Sequence, residues 1–479
     1  MTEAQEQLKR GLMWLGSAAA IGRLVDVAST ITVLFFLTKE EVGVATIAWA
    51  IGMVLEAVCR LGLGVAILQA EEVSRNQLDT AFWAMTLTTL LLGITAVGLG
   101  PFVGPLVQEP QLALYLIPSA IKMLFLVWAE IPIQLLNRKL QFASIAGVST
   151  GATVLSAIAR AALAATGFGA WSLLIAQALW AFFLWVGAMI AQPFFPHFRM
   201  RLREIHGLLH FGKYIAGERL TLEIFQNVDY LILGGLAGPG VVGIYRVAFE
   251  VAMQPAIAIG TVLSRTAFPV MARLRGKELT DLFINASGKL AVLMGAVCAI
   301  IIASAVDITW VFQWGEYAAA AVPAQLLAVA AALRVLFQLF PDMFNAAGVP
   351  SLTFRFGLFS LVVLGACLGV AITWIGIDNG AVALAAGWLG VYPVLIPLAV
   401  WASASRLNLD PRAYARSLIV PVLTAVVAIC VGLWTSAFVS QTVSLWWARI
   451  AIATTVTLFT YAGTFLGLNR LAKYTSRGT

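Results

Sequence analysis

FGLFSLVVLGACLGVAITWIGI, residues 356–377, lies between Arg355 and Asp378 and contains no ionisable side chain. Coiled as an α-helix it is about 33 Å long, enough to cross a hydrocarbon core of about 30 Å. Apolar runs of this kind recur along the whole chain, and they are of helix length, not the ~10-residue alternating segments of an outer-membrane barrel. Composition agrees: 61% of the 479 residues are hydrophobic and 11% charged, where a soluble domain is about 25% charged. Such a chain cannot cover its own surface in water. Disorder, a secreted disulfide scaffold and a cytosolic enzyme are all excluded. The chain reads as an all-α integral membrane protein.

Fourteen spans follow from the apolar runs: 11–37, 40–67, 79–105, 111–136, 142–165, 168–192, 209–237, 240–270, 281–306, 319–346, 351–375, 379–403, 417–439 and 444–468. Between them Lys and Arg fall on one side, among them Arg75, Arg138, Lys139, Arg199, Arg201, Arg203, Arg273, Arg275 and Arg412, against Lys39 alone on the other. Positive charge stays on the cytoplasmic side, so both termini are expected there. The net charge of +7 is then a matter of topology and calls for no nucleic-acid partner. The polar N-terminus and the lack of a small-residue cleavage pattern predict that the first span is retained. Cys59, Cys298, Cys367 and Cys430 all fall within spans and read as small core residues.

The longest polar break, PFFPHFRMRLREIHGL (193–208), divides two groups of six spans. The groups align at an offset near 200 residues, with KEEVGVATIAWA (39–50) over PGVVGIYRVAFE (239–250) and Gly43 over Gly243. Six spans is an even number, so this is a parallel pseudo-repeat about an axis along the membrane normal. The expected division is an N-terminal lobe (1–192), a cytoplasmic linker (193–208), a C-terminal lobe (209–403), and two added helices with a tail (404–479), the lobes enclosing a central cavity.

Charge within the spans is uneven. The spans at 79–105, 168–192, 379–403 and 417–439 are free of it in their interiors and read as lipid-facing. Others are loaded: Arg23 and Asp26; Glu56 and Arg60; Lys122 and Glu130; Arg160; Glu218, Arg219, Glu223 and Asp229; Arg246, Glu250 and Arg265; Arg334 and Asp342. A charged side chain at mid-membrane costs about 2.5–3.5 kcal/mol, so four in one span would cost on the order of 10 kcal/mol facing lipid. These faces must line something wet or pair with one another. Glu56–Arg60 and Arg246–Glu250 are spaced i,i+4 and Arg23–Asp26 i,i+3, so each pair shares a helix face. Pro118, Pro132, Pro255 and Pro341 are expected to break or bend their spans.

No phosphate-binding loop GxxxxGK[ST] occurs, so ATP is not the direct energy source. His206 and His210, at helical spacing, lack a carboxylate or thiolate to complete a metal site, and no cofactor or metal is expected. LGLG (61–64) reads as helix packing. Outer loops are too short for the acceptor domain of a membrane glycosyltransferase, polymerase or ligase.

LTKEEVGVATIAWAI (37–51), IPIQLLNRKLQFASIAG (131–147), FQNVDYLILGGLAGPGVVGIYRVAFEV (225–251) and NAAGVPSLTFRFG (345–357) resemble the Wzx-type flippases, the polysaccharide-transporter branch of the multidrug/oligosaccharidyl-lipid/polysaccharide exporter superfamily. LLNRKLQF is similar to that family's hydrophobic–Arg–x–x–x–Phe segment after the fourth span. The resemblance covers nearly the whole chain. It implies a non-enzymatic transporter of the bacterial inner membrane that carries undecaprenyl-pyrophosphate-linked oligosaccharide across the bilayer by alternating access. Arginine suits a pyrophosphate, which makes Arg23, Arg60, Arg219, Arg246 and Arg334 the candidates for contacting it. Asp26, Glu56, Glu223, Asp229 and Glu250 are candidates for coupling to Na+ or H+, or for counter-ions. Membrane lipids and polysaccharide assembly proteins are the further partners implied. The alternatives are a lipid II flippase, a cation-coupled multidrug exporter of the same superfamily, and a non-transporting scaffold.

Overall fold

A computed structural model of the chain describes residues 22 and 24–475. Arg23 and the start of the first expected span lie outside the described residues, and so does the side chain of Arg265. The described chain is helical, with no strand among the described residues. Its helices are α1 (Leu24–Leu34), α2 (Lys39–Cys59), α3 (Leu63–Gln69), α4 (Arg75–Val103), α5 (Leu112–Arg138), α6 (Phe142–Ala165), α7 (Ala170–Ala191), α8 (His206–Ala237), α9 (Pro239–Met271), α10 (Gly276–Val311), α11 (Ala321–Ala346), α12 (Pro350–Ile375), α13 (Gly380–Leu407), α14 (Pro411–Thr442) and α15 (Trp446–Thr475). Twelve helical segments among the described residues are long and apolar enough to cross a membrane. The charges of α8 keep that helix outside the apolar criterion despite its length. The protein is a multi-pass membrane protein, and each of the fourteen expected spans meets a helix.

Pro118 and Pro132 lie inside a continuous α5, and Pro341 inside a continuous α11, so these prolines do not interrupt their helices. The span that does break is 40–67, which has no proline. There α2 ends at Arg60, Leu61 and Gly62 adopt left-handed backbone angles (φ +50° and +64°), and α3 restarts at Leu63. Glycine alone adopts that conformation without cost, and Gly62 also needs its missing Cβ, which would lie 2.1 Å from the carbonyl oxygen of Gly212 on α8. α10 is longer than expected, reaching Val311, and so carries Asp307 within it.

Packing groups the described residues into a unit ending at Gly243 and one beginning at Ile244. In the first, α5 packs between α4 and α7, α6 packs on α7, and α8 lies against α2 and α3. Segment 194–205 is fastened to the start of α4. The indole of Trp83 donates to the carbonyl of His197 at 3.0 Å, Gln77 Nε2 donates to the Glu204 carbonyl at 3.1 Å, and Arg75 donates to the Phe195 carbonyl. Asp79, 1% exposed, holds Arg75 and His197 at 3.3 Å each. In the second unit α14 and α15 pack on α10. Tyr461 Oη donates to the Val292 carbonyl at 2.7 Å, and Arg449 reaches Asp307 at 3.6 Å.

A charge-paired candidate functional site

Arg60 ends α2, and the left-handed pair behind it stops the helix from running on past its side chain. Its guanidinium reaches two carboxylates. Nη2 lies 2.9 Å from Glu56 Oε1, one turn back on the same helix, and Nη1 lies 3.4 Å from Glu130 Oε2 on α5. The other oxygen of Glu56 is 3.0 Å from Lys122 Nζ, which also lies 3.5 Å from Met53 Sδ. Glu130 Oε1 accepts from Gln134 Nε2 at 2.9 Å, and Asn137 donates to Gln134 Oε1 at 3.2 Å. The carboxylates and Lys122 are 8–13% exposed, whereas the Arg60 side chain is 38% exposed. α5 supplies Lys122, Glu130 and Gln134 from one face, since eight residues are close to two full turns and four are close to one.

A cavity of about 260 Å³ opens beside this group among α5, α6 and α7, with Arg60, Glu130, Gln134 and Ser149 at its polar side and Leu126 and Trp180 among its apolar walls. A neighbouring pair comes from α8, where Arg219 Nη2 meets Glu223 Oε1 at 2.7 Å and Asn227 holds the same carboxylate at 3.3 Å. This pair is within electrostatic reach of Glu56 and Lys122. The arginine again faces outward, 58% exposed against 5% for its partner.

The remaining expected residues sit elsewhere. Asp26 is held by Arg160 of α6 at 2.7 Å, which also donates to Thr30 at 2.8 Å. Asp229 is fully buried and accepts from the amide of Tyr230 at 2.9 Å, while Glu218 is exposed. In the second unit Arg246 pairs with Glu250 on one face of α9, as the spacing predicts. Arg334 lies over the buried Trp388 ring, 5.5 Å from its centroid, a cation–π contact. Arg23 lies outside the described residues. Lys122 and Glu130, read from sequence only as charges within one span, and Gln134 complete the α2–α5 group, although none of the three was assigned to the site. Their signal was the shared face of a proline-containing span, whereas the Arg160–Asp26 contact joins helices far apart in the chain and left no local trace.

No three of His, Cys, Asp and Glu among the described residues come together as a metal site. The site is a set of buried carboxylates each holding a more exposed cation. Chemically, the guanidinium groups of Arg60 and Arg219 are forks whose geometry suits a phosphate or carboxylate.

Comparison with known proteins assigns the chain to a family. A family described as "Polysaccharide biosynthesis protein" matches residues 35–319, more than half of the chain. The teichuronic acid biosynthesis protein TuaB of Bacillus subtilis (strain 168) is 24% identical over 455 residues, covering 92% of each chain. The lipopolysaccharide biosynthesis protein WzxC of Escherichia coli (strain K12) is 24% identical over 374 residues, covering 74% of this chain and 73% of its own. Among solved structures, lipid II flippase MurJ in an inward closed conformation superposes with a TM-score of 0.72 at 13% identity, over 95% of this chain and 99% of that one. A multidrug resistance MATE family transporter, inward-facing, gives 0.63 at 16% identity over 81% and 95%. These structural likenesses establish the fold, and the family match over more than half of the chain establishes membership: the chain belongs to the polysaccharide biosynthesis protein family.

Proposed function

We propose that the protein is a flippase that moves an undecaprenyl-pyrophosphate-linked oligosaccharide, the repeat unit of an O-antigen, capsule or exopolysaccharide, from the inner to the outer leaflet of the bacterial inner membrane. The observation that carries this reading is a pair of partly exposed arginines, Arg60 and Arg219, held on buried carboxylates in a chain of the polysaccharide biosynthesis protein family. A pyrophosphate carries about two negative charges, and guanidinium forks match its oxygens. Arg23, Arg246 and Arg334 are the further cations assigned to it. The sugars travel in a hydrated route while the prenyl chain stays in lipid, so no covalent bond changes and no catalytic residue is needed.

Alternating access is assigned to the two sequence repeats, residues 1–192 and 209–403, joined by the linker 193–208 and with 404–479 outside them. Both termini are assigned to the cytoplasm by the distribution of Lys and Arg. Asp26, Glu56, Glu223, Asp229 and Glu250 are the groups through which a Na+ or H+ gradient would act.

The test is translocation in proteoliposomes, with a polyprenyl-pyrophosphate oligosaccharide placed in one leaflet and its arrival in the other followed with time. Wild type is expected to transport, and Arg60→Ala/Arg219→Ala to lose transport while remaining folded. Absence of transport by folded wild type under every ion gradient would overturn the reading.

A further inference from the structure

Arg60 and Lys122 share one carboxylate. Glu56 bridges them with its two oxygens, at 2.9 and 3.0 Å. Glu130 completes a group of two anions and two cations, neutral as a whole. A dianion gains far less from this neutral group than from the same cations uncompensated, because each nearby carboxylate offsets part of the attraction. Release of a carboxylate therefore strengthens the hold on a pyrophosphate.

The two carboxylates are not equally free to leave. Glu130 is held by Arg60 at 3.4 Å and by Gln134 at 2.9 Å, and its Oε1 sits 1.7 Å from where a Cβ on Gly64 would be, pressed against the backbone of α3. Among the described residues Glu56 is ion-paired only to these two cations, with Arg219 within electrostatic reach. Its departure uncovers the guanidinium of Arg60 and the ammonium of Lys122 on one gap, and leaves the group with net positive charge. Arg60 also has donor capacity in reserve, since its Nε is buried without a hydrogen-bond partner among the described residues.

Resting on the flippase reading, we propose that Glu56 is a displaceable counter-ion. It occupies the place between Arg60 and Lys122 that the pyrophosphate takes, yields it when substrate loads, and takes it back when substrate leaves. Lys122, from α5, is the second cation of the site. The exchange leaves both cations paired before loading and after it, as buried charges require, and it prevents the grip on the anion from becoming too tight to release. Glu130 stays in place and orients Arg60.

Binding of farnesyl pyrophosphate, a short prenyl pyrophosphate, to the purified full-length protein in detergent tests this. Glu56→Gln keeps the shape and removes the charge. It is expected to bind the probe about tenfold tighter, with slower release and lower transport turnover. Arg60→Gln and Lys122→Gln are expected to bind it about tenfold more weakly, and the gain from Glu56→Gln to disappear in Glu56→Gln/Lys122→Gln. Unchanged or weaker binding by folded Glu56→Gln, with Arg60→Gln still impaired, would overturn the counter-ion role and leave the pyrophosphate site standing. Unchanged binding by Arg60→Gln and Lys122→Gln would overturn the site itself, and the proposal with it. Glu56→Asp, too short to bridge both cations, provides a second variant and is expected to bind tighter than wild type.

Discussion

Gly62 and Gly64 stand two residues apart beside Arg60, and substitution should separate what each does. A Cβ on Gly62 meets backbone, the carbonyl of Gly212 at 2.1 Å, and φ is +64°. Neither can relax cheaply, so Gly62→Ala is expected to cost about 1–3 kcal/mol or more, read as a lowered Tm in detergent. A Cβ on Gly64 meets Glu130 Oε1, the far end of a flexible side chain. Gly64→Ala is therefore expected to keep most of the stability but move Glu130 off Arg60, altering probe binding more than Tm. Arg219 makes the complementary case. Its pair with Glu223 leaves the guanidinium 58% exposed but the carboxylate only 5% exposed, so removing the cation alone strands a buried charge. Arg219→Ala/Glu223→Gln removes the pair as a whole and should melt close to wild type, so that a slowed translocation rate reports on function; an unchanged rate removes Arg219 from the site.

At the scale of the helices, the segment LLNRKLQF turns out to hold a mechanical part. Arg138 at the end of α5 donates to the carbonyls of Ile67, Ala70 and Glu71 at 2.7, 2.5 and 2.8 Å, closing the C-terminus of α3. The second unit has a counterpart in Arg275, which donates to the carbonyls of Ala272 and Leu274 and to that of Ala346 at the end of α11. Lysine cannot serve three carbonyls with one planar fork. Arg138→Lys is expected to lose about 1–3 kcal/mol, seen as a lower Tm and as faster proteolysis in the 70–74 loop. The helices themselves were legible in sequence because apolar length is a local property. The α2–α3 break was not, although LGLG was read as packing: Gly62 does pack, against Gly212, but its partner is far along the chain. The same limit hid Asp307, which sits one residue past the end expected for its span and is held from α15. For Glu56–Arg60 and Arg246–Glu250 the pairing was readable because i,i+4 geometry is fixed by the helix, and the structure contains both.

Across the whole molecule the repeat leaves a physical mark. Gly43, aligned with Gly243 at an offset near 200 residues, would place a Cβ 1.7 Å from the Pro239 carbonyl oxygen, and Gly243 one 1.8 Å from that of Lys39. The starts of α2 and α9 thus cross with reciprocal contacts, each glycine lying against the first residue of the other helix. The repeat also fixes a prediction about orientation. Even-numbered groups of spans bring every polar connection with several Lys or Arg to one side, and crossing a membrane with those loops is opposed by about 2.5–3.5 kcal/mol for each charge at mid-bilayer. In a variant lacking Cys59, Cys298, Cys367 and Cys430, single cysteines at exposed Glu72 and Arg412 are expected to react with a membrane-impermeant maleimide only after the cells are opened. Cysteines at exposed Gln111 and Asn379 are expected to react on intact spheroplasts. The reverse pattern would place the basic loops outside and would require the direction of transport to be reassigned, since the cations that receive the pyrophosphate would then be loaded from the opposite leaflet.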